Sequence, residues 1–271
     1  HAASPSMNIL SPALRAAIVK RHDGLVSLLL KNGADGNTPL SYARDSLMTA
    51  LYLAVECGYL GATELLLERG ASVFARAEYQ KTPLTIAAEA GHNSLVRLLL
   101  EKGARIEDAD LRGRTALLFA ADKGHVGTVR LLLERGASVA VQTVQEKVTP
   151  LLIAGRDGLQ DIATLLLDHG ACVEDPDYCG KTTLHLAARR GHRGTARLLL
   201  ERGANVNARD NIHHTPLHDA AAYNHTEIIR LLVDGGAALE ARDTDGWTAL
   251  YLAVYRSQEH SVAVLLSAGS D

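Results

Sequence analysis

One short phrase recurs along this chain at an almost constant interval. It has the general form Leu-Leu-Leu-x-x-Gly-Ala and first occupies residues 28–34. Its central glycine is found at Gly33, Gly70, Gly103, Gly136, Gly170, Gly203 and Gly236, with a divergent eighth copy at Gly269. The successive spacings are 37, 33, 33, 34, 33, 33 and 33 residues. A period this constant predicts a stack of repeats, each contacting its neighbours, rather than one globular core.

Composition argues against several classes of protein. The 271 residues have a formal net charge of −3, so the chain lacks the excess of basic residues that nucleic-acid-binding modules usually have. No apolar run approaches the roughly 18 residues that a membrane-spanning helix needs. The three cysteines, Cys57, Cys172 and Cys179, are few and odd in number, which favours a reducing compartment over a disulfide framework. We therefore expect a cytoplasmic or nuclear protein that binds neither nucleic acid nor membrane.

One repeat, residues 82–114, shows how each unit is expected to fold. Thr82 can cap a helix through its hydroxyl, and Pro83 suits the first helical position, where the backbone N–H has no helical partner. Gly91 then allows a turn, and the leucine-rich stretch after it predicts a second helix that is buried on most of its circumference. Gly103 can end that helix in the left-handed conformation. The polar residues that follow predict an extended finger, so the unit is helix, turn, helix and finger.

These residues resemble the ankyrin repeat family. The family's Thr-Pro-Leu-His signature stands at residues 215–218, and variants of it begin at Thr49, Thr82, Thr115, Thr149, Thr182 and Thr248. The resemblance implies an all-α solenoid of helix-turn-helix units with β-hairpin-like fingers. Repeats are expected to start near residues 12, 49, 82, 115, 149, 182, 215 and 248, within a single array over residues 9–271. Residues 1–8 are expected to be a tag remnant and an N-terminal tail.

The histidines follow the repeat, which predicts structural roles for most of them. Five lie in the turn between the two helices, namely His22, His92, His125, His192 and His225. His185 and His218 follow the Thr-x-Leu start of a repeat. There the resemblance implies hydrogen bonds to the backbone of the adjacent repeat. We therefore expect no catalytic histidine.

Three other features look like chemical motifs but do not meet the requirements of those motifs. Cys172 and Cys179 do not form a Cys-x-x-Cys pair, so no zinc site is predicted. Residues 180–182, Gly-Lys-Thr, lack the glycine five residues earlier that a phosphate-binding loop needs, because position 175 is aspartate. Asp219 replaces an apolar residue of the pattern and is expected to be hydrogen bonded, since an unpaired buried acid is costly. We expect no enzymatic activity, no metal and no cofactor.

The expected function rests on residues that depart from the repeat pattern. The resemblance implies that partners dock on the concave face, which the finger tips and the outer surface of each first helix build. On that face we expect these partner-binding residues: Arg112, Arg156, Tyr178, Lys181, Arg189, Arg190, Tyr223, Trp247, Tyr255 and Arg256. Arginine, tyrosine and tryptophan dominate binding hot spots, yet only 4% of the chain is aromatic. We hypothesise that a monomeric array binds a protein or peptide of acidic and apolar character through its last four repeats.

Two other interpretations remain open for the same residues. The first is that they are scattered, solvated side chains, since isolated exposed aromatic residues are common. The second is an enzyme or small-molecule-binding protein that uses an aromatic and basic groove in the C-terminal repeats. A deep pocket beside Tyr178, Arg190 and Tyr223 would favour this second interpretation, whereas an open groove would favour a protein partner. The array is also compatible with a place inside a larger protein that supplies another activity.

Two regions break the repeat. The first finger is four residues longer than the others and includes residues 38–40, Thr-Pro-Leu. The repeat that starts near residue 149 has an extra finger residue near positions 145–146, Gly155 in place of alanine and Leu159 in place of histidine. These changes predict a soft joint over residues 141–160.

Overall fold

The structure, a computed structural model, describes residues 10–37 and 49–270. Over these residues the regular elements are sixteen α-helices and one short 3-10 turn at Glu78–Gln80, with no β-strand. The predicted all-α repeat fold is therefore confirmed. None of the helices in these two ranges is long and apolar enough to cross a bilayer. The expected N-terminal tail and the long first finger at residues 38–40 lie outside the described residues.

The chain divides into two compact units, and the first ends at Ser138. Its helices are α1 (Leu10–Val19), α2 (Asp23–Lys31), α3 (Ala50–Glu56), α4 (Leu60–Glu68), α5 (Pro83–Glu89), α6 (Asn93–Glu101), α7 (Ala116–Asp122) and α8 (Val126–Glu134). The odd-numbered helices pack in sequence against one another, and so do the even-numbered helices. Each repeat thus contributes one helix to each of two layers.

The second unit begins at Val139 and repeats the same plan. Its helices are α9 (Pro150–Asp157), α10 (Gln160–Asp168), α11 (Thr183–Arg190), α12 (Arg193–Glu201), α13 (Pro216–Ala222), α14 (Thr226–Asp234), α15 (Ala249–Tyr255) and α16 (Glu259–Ser267). Its core includes the fully buried side chains Leu184, Leu199, Leu217, Ile229 and Leu232. Because each helix pair buries its apolar residues against the next pair, stability is shared between neighbouring repeats.

The predicted helix boundaries are present in the repeat at residues 82–114. The amide of Thr85 donates a hydrogen bond to the Thr82 hydroxyl at 3.2 Å, and Pro83 occupies the first turn of α5. Gly91 and Gly103 have φ angles of 72° and 89°, so both adopt the left-handed conformation that the turn and the helix end require. The threonine cap, the proline and the two glycines of this repeat therefore have the roles predicted for them.

Turn histidines of the second unit connect consecutive repeats through the ends of the first helices. In the second unit, His192 Nε2 lies 3.0 Å from the Arg156 carbonyl oxygen, and His225 Nε2 lies 3.0 Å from that of Arg189. Carbonyl groups in the last turn of a helix have no partner within the helix, so these contacts satisfy them. The structural role predicted for these histidines is confirmed. Leu159 occupies the same position in its own repeat and has no polar group with which to make such a contact.

Candidate partner-binding surface

The fingers of the second unit are joined tip to tip by backbone hydrogen bonds. In each case a tip amide donates to a carbonyl oxygen of the preceding finger. The bonds run from Tyr178 to Glu146 at 3.0 Å, from Asn211 to Cys179 at 3.0 Å and from Thr244 to Ile212 at 3.1 Å. Because these bonds join backbone atoms, they fix the spacing of neighbouring tips for any side chains at the tip positions. We call the surface formed by these tips and the outer sides of α9, α11, α13 and α15 the finger–helix surface.

An aspartate shapes each of the regular fingers. The Asp210 carboxylate accepts hydrogen bonds from the amides of Ile212 and His214 at 3.0 and 2.8 Å, and the Asp210 amide donates to the His214 carbonyl. Asp177 and Asp243 accept from the corresponding amides of their own fingers. Aspartate favours such turns because its side chain replaces a backbone acceptor. The fingers are therefore hairpin-like turns, as predicted, although they contain no assigned strand in the described residues.

Lys181 lies beneath the finger–helix surface rather than on it. Its ammonium nitrogen is 2.8 Å from carboxylate oxygens of both Asp210 and Asp219, and only 12% of its side chain is exposed. Burial alone would lower the pKa of Lys181, but the two carboxylates outweigh burial and raise it. For Asp210 burial would raise the pKa, whereas the hydrogen bond and charge of Lys181 lower it. The expected hydrogen bond of Asp219 is present, and the charge of Lys181 is neutralised inside the protein.

Two buried histidines anchor the fingers above them. His185 Nε2 lies 3.0 Å from the carbonyl oxygen of His214, and His218 Nε2 lies 3.2 Å from that of Trp247. Burial lowers the pKa of both His185 and His218, so both are neutral at pH 7. The predicted bonds to the adjacent repeat are confirmed. In the part of the chain that the structure describes, no group of three His, Cys, Asp or Glu side chains is arranged to hold a metal ion.

Three of the expected binding residues form one contact group, which we call the arginine–tyrosine cluster. The guanidinium carbon of Arg189 lies 4.9 Å from the centre of the Tyr223 ring, and that of Arg256 lies 5.6 Å from it. All three side chains are exposed. A guanidinium on an aromatic face is held by cation–π attraction and needs no acidic partner to stay in place. The cluster therefore presents two positioned positive charges to solvent.

A second group, the aromatic cluster, joins Trp247 and Tyr255 to Tyr251. The ring centres of Trp247 lie 4.8 Å from Tyr251 and 5.3 Å from Tyr255, and the two tyrosine rings are stacked 6.4 Å apart. Tyr255 is 67% exposed. Tyr251 was not among the residues expected from the sequence. Its position four residues before Tyr255 on one helix could have identified it, since such residues share a helix face.

The remaining expected residues are dispersed. Tyr178 stands at a finger tip with 70% of its surface exposed. Arg156 forms a two-point contact with Asp157, at 2.9 and 2.7 Å. Arg190 is exposed at the end of α11, and Arg112 is an exposed tip residue of the first unit.

Two depressions of about 350 Å³ each lie in the second unit. One is lined by Gln160, Arg193, Gly194, Arg197, Leu198 and Glu201, and the other by Glu240, Arg242, Gly246, Thr248, Leu250, Tyr251 and Val254. Neither is lined by Tyr178, Arg190 or Tyr223, beside which a deep pocket would favour the small-molecule interpretation. The residues that line these two depressions therefore give no support to the small-molecule interpretation.

Known proteins share this organisation. A family model of three ankyrin repeats matches residues 73–143, 140–210 and 209–271, and a model of one ankyrin repeat matches residues 46–78. Comparison with curated proteins gives no match. The crystal structure of the human ASB11 ankyrin repeat domain is similar, with a TM-score of 0.74 and 30% sequence identity over 83% of this chain and 99% of that one. Ankyrin repeats are generally protein–protein interaction modules and are typically not enzymes. The matched residues and the repeated helix pairs together show that this chain belongs to the ankyrin-repeat family.

Proposed function

We propose that this chain is a non-catalytic interaction module whose second unit binds a protein or peptide partner on the finger–helix surface. The observation that supports this most directly is that the two clusters adjoin each other along the chain. Tyr255 belongs to the aromatic cluster, and the next residue, Arg256, belongs to the arginine–tyrosine cluster. The two clusters therefore meet in one patch, which combines large aromatic area with positive charge.

The composition of this patch indicates the chemistry of the partner. The exposed tyrosine rings and the half-buried Trp247 ring can bury apolar area while they keep a polar group for hydrogen bonding. The guanidinium groups of Arg189 and Arg256 favour carboxylates, and complementary charge increases both the specificity and the rate of association. The partner surface is therefore acidic and apolar.

The proposal includes a reducing compartment, the cytoplasm or the nucleus, and a monomeric array. All three cysteines are free, and the side chains of Cys172 and Cys179 are exposed. Exposed thiols of this kind persist where cellular reductants keep them from forming disulfides. The finger–helix surface is then available to the partner instead of being covered by a second copy.

A triple variant tests the proposal. Arg189→Glu, Tyr223→Ala and Trp247→Ala together remove charge and ring area from both clusters. Immobilised wild-type and variant chains are exposed to cell extract, the retained proteins are quantified by mass spectrometry, and the affinity of each candidate is then measured by calorimetry. We expect the partner to bind the wild type and to lose at least about tenfold in affinity for the variant.

A control variant has its substitutions in the second helices of the same unit instead. Arg197→Glu and Arg230→Ala alter exposed residues of α12 and α14, the second helices, and should leave affinity unchanged. Circular dichroism checks that each variant is folded. A partner that binds the folded triple variant as tightly as the wild type would contradict the proposal.

A further inference from the structure

Tyr223 lies between two arginines that come from different repeats. Arg189 is on α11, Tyr223 follows α13, and Arg256 follows α15. Helix α13 packs against α11 on one side and α15 on the other. Each guanidinium carbon lies within 5.6 Å of the ring centre, so the two charges can be separated by no more than twice that distance. Their shared contact with the ring thus sets an upper limit on the spacing of the two charges.

Neither Arg189 nor Arg256 forms an ion pair with any residue in the described part of the chain. Among the residues that the structure describes, no carboxylate oxygen lies within 4.0 Å of the side-chain nitrogens of Arg189 or Arg256. Two other basic residues of the expected set differ in this respect, because Lys181 pairs with two aspartates and Arg156 with Asp157. The arginine–tyrosine cluster therefore has two positive charges that remain available to a partner.

Among the described residues, the side-chain nitrogens of Arg189 and Arg256 donate no hydrogen bond. A guanidinium that lies over an aromatic ring uses its flat face, while its five N–H groups point outward in its own plane. One such edge binds a carboxylate through two parallel hydrogen bonds, which occupy both carboxylate oxygens. Two guanidiniums, each with such an edge, can therefore hold two carboxylates.

On the basis of the proposed function, we infer that the arginine–tyrosine cluster recognises two acidic side chains at alternate positions of an extended partner segment. In an extended chain, residues i and i+2 project from the same side, roughly 6.6 Å apart. This spacing fits within the limit that the Tyr223 ring sets on the two guanidiniums. The residue between the two acids projects away from the cluster, so its identity is not selected there.

Degenerate peptides test this spacing without knowledge of the natural partner. Fluorescein-labelled peptide pools carry either Glu-x-Glu or an adjacent Glu-Glu pair, with the same overall composition and neutral residues at the varied positions. A third pool has glutamine in place of both acids. Fluorescence anisotropy with the whole chain should show that the Glu-x-Glu pool binds about fivefold more tightly than the adjacent-acid pool. The glutamine pool should bind more weakly than either.

Charge-matched variants assign the preference to the two arginines. The Arg189→Gln/Arg256→Gln variant should bind the two acidic pools equally. The Arg197→Gln/Arg230→Gln variant loses the same net charge from the second helices and should keep the fivefold preference. Equal binding of the two acidic pools to the wild type would overturn the inference. So would tighter binding of a pool with a single phosphoserine, because it would indicate one phosphate bridging both arginines.

The same measurements separate this inference from the proposed function. If the Arg189→Glu, Tyr223→Ala, Trp247→Ala variant keeps its protein partner, the proposed surface is wrong. If that variant loses its partner while the wild type does not distinguish the two acidic pools, the surface stands and only the spacing of the acids is wrong.

Discussion

At the scale of single residues, Gly155 shows that contact with a neighbouring side chain can outweigh intrinsic helix propensity in the choice of a residue. The sequence places it where other repeats have alanine, within α9. A Cβ atom built on Gly155 would lie 2.3 Å from the Thr183 methyl carbon and 2.9 Å from the Thr183 carbonyl oxygen. The Thr183 side chain thus occupies the space that alanine would need. The sequence shows that Gly155 departs from the alanine of the other repeats, but the reason for this departure lies in the following repeat.

We expect Gly155→Ala to destabilise the chain by about 1–3 kcal/mol, because overpacking forces the backbone to shift. Helix propensity alone predicts the opposite, a gain of about 1 kcal/mol. Urea unfolding followed by circular dichroism distinguishes the two effects. Thr183→Ala removes the nearer atom, so the cost of Gly155→Ala should fall by about 1 kcal/mol in the double variant. A more stable Gly155→Ala single variant would show that the site can relax.

Lys181 is a second residue whose role depends on its neighbours. We expect Lys181→Met to cost about 3 kcal/mol of unfolding free energy, because it leaves Asp210 and Asp219 buried without their counter-ion. Lys102→Met, at an exposed position in the first unit, should have little effect. The measurement is again the urea midpoint. If the two variants are equally stable, the ion pairs of Lys181 contribute nothing to folding.

At the scale of helices, the caps of α11 and α13 use histidine as an acceptor. The Thr182 amide donates to His185 Nδ1 at 3.2 Å, and the Thr215 amide donates to His218 Nδ1 at 3.1 Å. Protonation of either ring at Nδ1 would remove that acceptor. In α5, Thr85 takes the same position and makes the equivalent bond without a titrating group. The chain therefore contains both a pH-sensitive and a pH-insensitive form of one cap.

We expect stability to fall as pH decreases from about 7.5 to about 5. Burial lowers the pKa of His185 and His218 in the folded state, whereas the unfolded value is near 6.5. Their contribution to stability is therefore complete above pH 6.5 and is lost below it, where the unfolded state binds more protons. The His185→Thr/His218→Thr variant, which copies Thr85, should lose less stability over this range in urea titrations. An identical loss in both proteins would assign the pH dependence to other groups.

At the scale of the whole molecule, the sequence was most informative where structure depends on local signals. The period, the helix starts at threonine and the left-handed glycines follow from residues near one another, so all were predicted. The contacts of Tyr251 and Lys181 do not follow from the sequence, nor does the identity of the partner of Asp219, because these contacts join side chains whose orientation depends on packing. The sequence placed Lys181 and Arg189 together on one surface, yet the structure buries Lys181 and leaves Arg189 exposed.

The irregular repeat over residues 141–160 leads to a prediction about the whole array. The first compact unit ends at Ser138, a few residues before the extra finger residue. Later in the same repeat, Leu159 cannot make the histidine contact. We expect backbone amides of residues 141–160 to exchange with solvent faster than amides at equivalent positions of the flanking repeats. Hydrogen exchange monitored by mass spectrometry measures this difference. Uniform protection along the array would show that the irregular residues do not weaken it.

The tip-to-tip bonds of the fingers also affect how this protein can diversify. Because those bonds join backbone atoms only, the fold does not depend on which side chains stand at Tyr178, Ile212 or Thr244. Only proline is excluded at these three positions, since each of them donates a hydrogen bond from its backbone N–H. Mutation, natural or in a randomised library, can therefore vary recognition at these positions while stability stays nearly constant. The backbone hydrogen bonds of the fingers thus allow partner specificity to evolve by substitution at the tips.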